Sequence, residues 1–157
     1  MENSYQHKVR VRVCGICLSE NRQEILLIKH LGLGKDGVWW APPGGGVTFG
    51  ESAEEALVRE FLEETGLQIK VCQFLFVNEF VKPPLHAVEL FFAVEIIGGT
   101  LQKGHDPELS QQIISEVRFV SWEEISRISE HQLHGIFAEV ANLPEILRVS
   151  GHRFTKN

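Results

Sequence analysis

The sequence predicts an α+β fold in which a mixed β-sheet packs between helices. Three features point to it. Strand-like apolar runs recur in neighbouring pairs that read as hairpins, one amphipathic helix with both ends marked interrupts them, and helical patterns return later without strict strand–helix–strand alternation. With 157 residues, 43% hydrophobic and 23% charged, the chain has the size of one domain, able to bury about two-thirds of its unfolded surface.

The elements follow in order. "VRVRVCGICL", residues 9–18, alternates polar and apolar and then turns wholly apolar, as a strand entering a core does. After the polar turn "SENRQ", "EILLIKH" at residues 24–30 reads as a second buried strand, paired with the first as a hairpin. "GLGKDG" is a glycine-rich connection, and "VWWAPPGGGV" follows it. Two prolines and three glycines there argue against regular structure and let the backbone approach another group closely.

The central helix is predicted over residues 53–65. Ser52 is its N-cap, Glu55 completes a capping box, and Gly66 supplies the left-handed C′ position. Strand-like runs "IKVCQFLFVNEFV" and "HAVELFFAVEII" come next, separated by "KPP". A loop "GGTLQKGHDPELSQQ" leads to the strand "EVRFVSW", then to one or two helices from "EEIS" and "HQLHGIFAEVANL", and to the basic, polar tail "RVSGHRFTKN", read as loosely held.

Fifteen Lys and Arg against twenty-one Asp and Glu give a net charge of −6, which disfavours nucleic acid and anionic lipid as partners. The first residues carry no signal-peptide core, and no apolar run approaches the roughly 20 residues needed to span a bilayer. A soluble cytoplasmic protein is expected, with Cys14, Cys17 and Cys72 reduced. Cys14 and Cys17 lie three apart in a strand and so face opposite ways, which suits burial better than a metal or redox pair.

The helix poses an electrostatic problem. Glu60, Glu63 and Glu64 fall within an arc of about 100° near its C-terminal end, where the macrodipole disfavours anions. Ala53 and Ala56 share that arc, and Leu57, Val58, Phe61 and Leu62 are expected to pack on the sheet. A solvated acidic face, with Arg59 paired to Glu55 or Glu63, is one reading. A hard divalent cation held by the carboxylates is the other.

Gly45, Glu51 and the run Arg59-Glu60-Phe61-Leu62-Glu63-Glu64-Thr65-Gly66-Leu67 match the Nudix box, G-x5-E-x7-R-E-U-x-E-E-x-G-U, at every defined position. On these residues the chain resembles the Nudix hydrolase family (MutT-like), over roughly residues 8–128, with a C-terminal helix and tail at 129–157. The resemblance implies a Nudix-type α/β/α sandwich and Mg2+- or Mn2+-dependent hydrolysis of a nucleoside diphosphate linked to another moiety X. It implies Glu60 and Glu64 as principal metal ligands, Glu63 as a further ligand or water-orienting group, Gly44 as the source of a ligating carbonyl, and Arg59 as the brace of a catalytic glutamate. Glu51 is left between a structural and a metal-site role.

Substrate contacts are assigned more loosely. Lys29 stands where related enzymes often carry a basic phosphate contact, and reads equally well as an ordinary snorkelling surface lysine. Trp39, Trp40 and Phe49 flank the glycine loop, as core residues or as a base-stacking surface. Glu108 and Glu116 are candidates for a base outside the box, and His86 and His105 lack ligand spacing. Pro83, sixteen residues after Leu67, is similar to a pattern in ADP-ribose-hydrolysing members, and "KPP" reads equally well as a hairpin turn. A nucleotide sugar, ADP-ribose or similar derivative is ranked ahead of a (d)NTP, as in nucleotide-sanitising members. A Nudix-like sensor without turnover and an isomerase sharing the fold are disfavoured by the intact box. A homodimer is compatible with the family.

Overall fold

The computed structural model describes residues 6–104 and 113–155. The strands are β1 Val9–Ile16, β2 Glu24–Leu31, β3 Val38–Ala41, β4 Gly44–Gly46, β5 Leu67–Lys82, β6 Leu85–Gly99, β7 Ile113–Ser121 and β8 His152–Thr155. The α-helices are α1 Ala53–Thr65, α2 Trp122–Ile125 and α3 Leu143–Ile146, with 3-10 turns at Glu130–Gln132 and Gly135–Phe137. Five strands form a mixed sheet in the order β4-β1-β6-β5-β8, and β3-β2-β7 form a second, antiparallel sheet. In the first sheet β1 runs parallel to β6 and β5 parallel to β8, the other pairs being antiparallel.

Helix α1 has the predicted bounds because both ends are fixed locally. Ser52 Oγ accepts from the Glu55 N–H (3.2 Å) while Glu55 Oε2 accepts from the Ser52 N–H (2.7 Å). Gly66, at φ 72°, ends the helix and donates its N–H to the Leu62 carbonyl. The capping box of Ser121 and Glu124 starts α2 in the same way.

The core divides across the five-stranded sheet. Ala56, Leu57 and Phe61 of α1 pack with Val13, Cys17, Leu26, Phe92 and Val94 on one side. Cys14, Ile16, Trp40, Phe76 and Phe91 pack with Ile136, Leu143 and Ile146 from the C-terminal turns on the other. Cys14 and Cys17 therefore face opposite clusters as buried free thiols, while Cys72 is exposed.

Several expectations are corrected. β1 and β2 meet only at the turn, through the Leu18–Ile25 bridge, and then enter different sheets. Gly44–Gly46 form a short strand rather than irregular chain, paired with β1. On α1, Val58 and Leu62 are exposed, and Glu60 and Glu64 take the buried positions. The expected C-terminal helix is a series of 3-10 turns and the four-residue α3, and the tail forms β8 along β5. "KPP" is the hairpin turn between β5 and β6.

Gly15 explains how closely α1 sits on the sheet. A Cβ there would lie 2.4 Å from Cε2 of the fully buried Phe61 ring. Gly15→Ala is expected to lower the unfolding free energy by about 1–3 kcal/mol, because the ring has no room to yield. Urea titration followed by tryptophan fluorescence measures the difference.

Candidate metal centre

The site is built where α1 crosses the glycine strand β4. Glu60 and Glu64 are each only 1% exposed, and a buried carboxylate is costly unless held by donors. Arg59 supplies one for Glu60 and ties it to Glu51 and Glu63. Its Nε and Nη2 donate to Glu51 Oε2 (3.0 Å) and Oε1 (2.6 Å), the two-pronged geometry that makes such pairs strong. Nη1 donates to Glu60 Oε1 (2.8 Å) and Glu63 Oε2 (3.2 Å), and Nη2 also reaches the Gly46 carbonyl (3.1 Å). Glu64 Oε2 accepts the Gly44 N–H at 3.0 Å.

The glycines are needed for this approach. A Cβ on Gly45 would lie 2.3 Å from the Glu60 carboxyl carbon, and one on Gly44 would lie 2.0 Å from the Val13 carbonyl oxygen. Gly44 meets the carboxylates through its N–H, which Glu64 accepts, whereas the resemblance assigns its carbonyl to a metal. Glu51 has a structural place: besides Arg59 it accepts the Thr48 N–H (2.7 Å), closing the loop before α1. Its hydrogen bonds to Arg59, above all, hold its carboxyl down from an ordinary 4.5 to about 2, against the opposing effect of burial. The guanidinium is raised in turn, chiefly by Glu51.

Among the described residues, no three His, Cys, Asp or Glu side chains already converge as a ligand set. The donor set nevertheless fits a hard divalent cation: Glu60, Glu63 and Glu64 offer only oxygen, and the Gly45 hollow receives the Glu60 carboxylate. Glu63, 31% exposed, is the member of the group that faces solvent most.

The other candidates fall elsewhere. Lys29 and Glu116 are brought together across β2 and β7, with Lys29 Nζ 3.0 Å from Glu116 Oε1 and Arg118 Nε 3.2 Å from Oε2. Their hydrogen bonds are thus to one another rather than to α1, and the bonds from Lys29 first, and then Arg118, hold Glu116 below the usual carboxylate range. Trp40 is buried, with Lys29 and Arg118 over its ring at 5.5 and 5.2 Å. Trp39 leans on His134 at 5.9 Å, and Phe49 is wholly exposed. His86 bonds Glu79 (2.8 Å). Glu108 and His105 lie outside the described residues.

A buried polar network was not anticipated. Glu89 Oε2 lies 2.9 Å from His134 Nε2 and accepts from Asn78 Nδ2 at 2.9 Å, and Asn78 Nδ2 reaches Thr155 Oγ of β8 at 3.1 Å. Burial pushes the Glu89 carboxyl up, but His134, Arg12 and Asn78 together hold it below the usual range. The signal in the sequence was a polar residue at an inward position of an otherwise apolar strand, in "FLFVNEFV" and again in "HAVELFF".

The layered fold is that of the Nudix hydrolases. The NUDIX domain matches residues 8–140, and the chain belongs to that family. It is 43% identical over 98 residues to an ADP-ribose pyrophosphatase of Methanocaldococcus jannaschii, covering 61% of this chain and 56% of that protein. A putative 8-oxo-dGTP diphosphatase of Bacillus subtilis is 43% identical over 84 residues, 54% of this chain and 52% of that one. The matches thus span about half the length of these relatives. In fold, a NUDIX hydrolase from Nitrosomonas europaea superposes with a TM-score of 0.67 at 18% identity, covering 89% of this chain and 86% of its own. An ADP-ribose pyrophosphatase from Streptococcus suis gives 0.59 at 18% identity, with 93% and 98% covered.

The Arg59–Glu51 pair sets a pH dependence. Since the folded-state value of Glu51 lies below its ordinary one, its stabilisation is complete above about pH 4.5 and is lost as the pH falls through about 2. Glu51→Gln is expected to be less stable than the wild type at pH 7, with the gap closing progressively below pH 4.5. Urea titrations at a series of pH values measure it.

Proposed function

We propose that this chain is a divalent-metal-dependent pyrophosphohydrolase that cleaves a nucleoside diphosphate linked to another moiety, with ADP-ribose or a nucleotide sugar as the leading substrate class. The observation that carries the reading is the intact Arg59 cluster: Glu60 and Glu64 buried at the glycine strand, Glu63 toward solvent, and Glu51 anchoring the guanidinium. The ADP-ribose pyrophosphatase of M. jannaschii supports the substrate class. The 8-oxo-dGTP diphosphatase relative keeps a (d)NTP as a second reading.

Glu60 and Glu64, with the Gly44 backbone, would hold Mg2+ or Mn2+. Once bound, the ion offsets the charge of the diphosphate and polarises the attacked phosphorus. The chain's own groups do the remainder. Arg59 fixes one oxygen each of Glu60 and Glu63, so that neither carboxylate swings away as the anionic substrate arrives. Glu63, bonded to Arg59 through Oε2 alone among its described contacts, orients the attacking water and takes its proton. The polyanionic substrate and the acidic site would repel each other otherwise, which ties turnover to the cation.

Hydrolysis of ADP-ribose, nucleotide sugars, nucleoside triphosphates and dinucleoside polyphosphates, with Mg2+ and with chelator, tests the reading. Mg2+-dependent release of a nucleoside monophosphate is expected, and Glu64→Gln should lower kcat at least about a hundredfold, since even groups that merely orient ligands cost 10–100-fold. Inactivity on the whole panel despite metal binding would favour a sensor, and full activity of Glu64→Gln would remove that residue from the metal centre.

A further inference from the structure

The five-stranded sheet carries a second charged feature, on the other side of the glycine strand. β1 begins with its pattern inverted: Val9 and Val11 are 60% and 48% exposed, while Arg10 and Arg12 are half-buried on the inward face. Residues directly opposite on paired strands share a face, so the register reads as rows. One row is Gly44, Cys14, Phe91 and Phe76, all buried, its last three members in the apolar core. The next is Gly46, Arg12, Glu89, Asn78 and Arg153, with Arg10 on the same face one step further out.

Arg12 is therefore placed between two anchors. On one side Gly46 gives its carbonyl to Arg59, and on the other stands the buried Glu89, itself fixed by His134 and Asn78. The Cys14 thiol, raised first by burial, lies in the fields of Glu89, Arg12, Glu64 and Glu60 together, so the acidic helix and the arginine row border the same small region. The two lie on opposite faces of the sheet with β4 between them: the Gly45 hollow receives the Glu60 carboxylate, and Gly46, opposite Arg12, gives its carbonyl to Arg59. A nucleoside diphosphate has charge on both phosphates, and a cation held by the glutamates would leave part of that charge for other groups to meet.

We propose that Arg12, steadied by Glu89, binds the phosphate oxygens of the nucleotide that lie away from the carboxylate centre, with Arg10 as an outer contact for the same anion. The proposal rests on the pyrophosphohydrolase reading for its substrate, but not for its binding chemistry. A planar guanidinium braced by a buried carboxylate offers paired N–H donors that a lysine cannot reproduce.

Calorimetric titration of ADP and of adenosine, with chelator and no divalent metal, isolates this contact from the metal centre. Because the repulsion from the glutamates is common to both proteins, Arg12→Gln is expected to weaken ADP by about tenfold or more relative to the wild type while leaving adenosine within twofold. Arg12→Lys should lose an intermediate amount, about threefold. In hydrolysis, Arg12→Gln should raise KM by a similar factor with kcat within about threefold, unlike Glu64→Gln. Unchanged ADP affinity in Arg12→Gln overturns the proposal. If thermal melts show that Arg12→Gln does not fold, Arg12→Lys decides, unchanged ADP affinity again overturning it. Absence of hydrolysis on the whole substrate panel would sink the pyrophosphohydrolase reading alone, because the metal-free titration does not depend on it.

Discussion

The guanidinium of Arg59 is the contact on which the acidic region depends. Two carboxylates that are 1% exposed sit at the C-terminal half of a helix, where the backbone dipole opposes them. Removing ions from water costs several kcal/mol each, and a single partner at the surface would not offset that. Arg59 instead uses its donors on five oxygens of four groups, Glu51, Glu60, Glu63 and the Gly46 carbonyl, while Glu64 takes the Gly44 N–H. Glu51 matters because it is attached to the loop through the Thr48 N–H and so gives the guanidinium a fixed base. The helix, the preceding loop and the glycine strand are thereby tied at one point.

That arrangement is possible only because helix and strand come unusually close. Gly44 and Gly45 permit it on the strand side, where Cβ atoms would enter the Val13 carbonyl and the Glu60 carboxylate. Gly15 permits it on the sheet side, beneath Phe61. The burial of Phe61 and Leu57, of order 1.5–3 kcal/mol each, draws α1 down onto the sheet, and the same approach buries Glu60 and Glu64. Apolar packing and the acidic centre therefore share one geometry, and a change that lifts the helix disturbs both.

What could be read from the sequence was what is encoded locally. The bounds of α1 follow from Ser52, Glu55 and Gly66, each acting within four residues, and the Nudix box fixed the spacing of Gly45, Glu51, Arg59, Glu60, Glu63 and Glu64. The facing of the helix was not legible. Periodicity alone puts Val58 and Leu62 on the sheet, but the Arg59 cluster supplies enough donors for carboxylates to take the buried positions instead. The divergence of β1 and β2 escaped notice because their turn is that of an ordinary hairpin and the choice of sheet is made by β6 and β7 far along the chain. The tail read as loose because its polar residues are satisfied only at a distance, Arg153 by Glu139 and Thr155 by Asn78.

β1 is where these levels meet, and its register is the parameter most tightly set. Successive residues go to opposite faces, so Val13 and Cys17 join the cluster under α1 while Cys14 and Ile16 join the opposite one, and Arg12 stands beside Glu89. A slip of one residue would exchange every one of these positions, placing valines against Glu89 and arginines in solvent. The pairing with β4 resists such a slip, since the Val13 carbonyl and Cys14 Cα approach Gly44 at distances that only a glycine tolerates. The pairing with Glu89 resists it from the other edge, because a slip would take the Arg12 charge away from a buried carboxylate that also bonds His134 and the Asn78 amide. The glycine strand and the buried polar row thus hold β1 from its two sides, and the strand's inverted start, unfavourable by hydrophobic patterning alone, is the consequence of that double constraint.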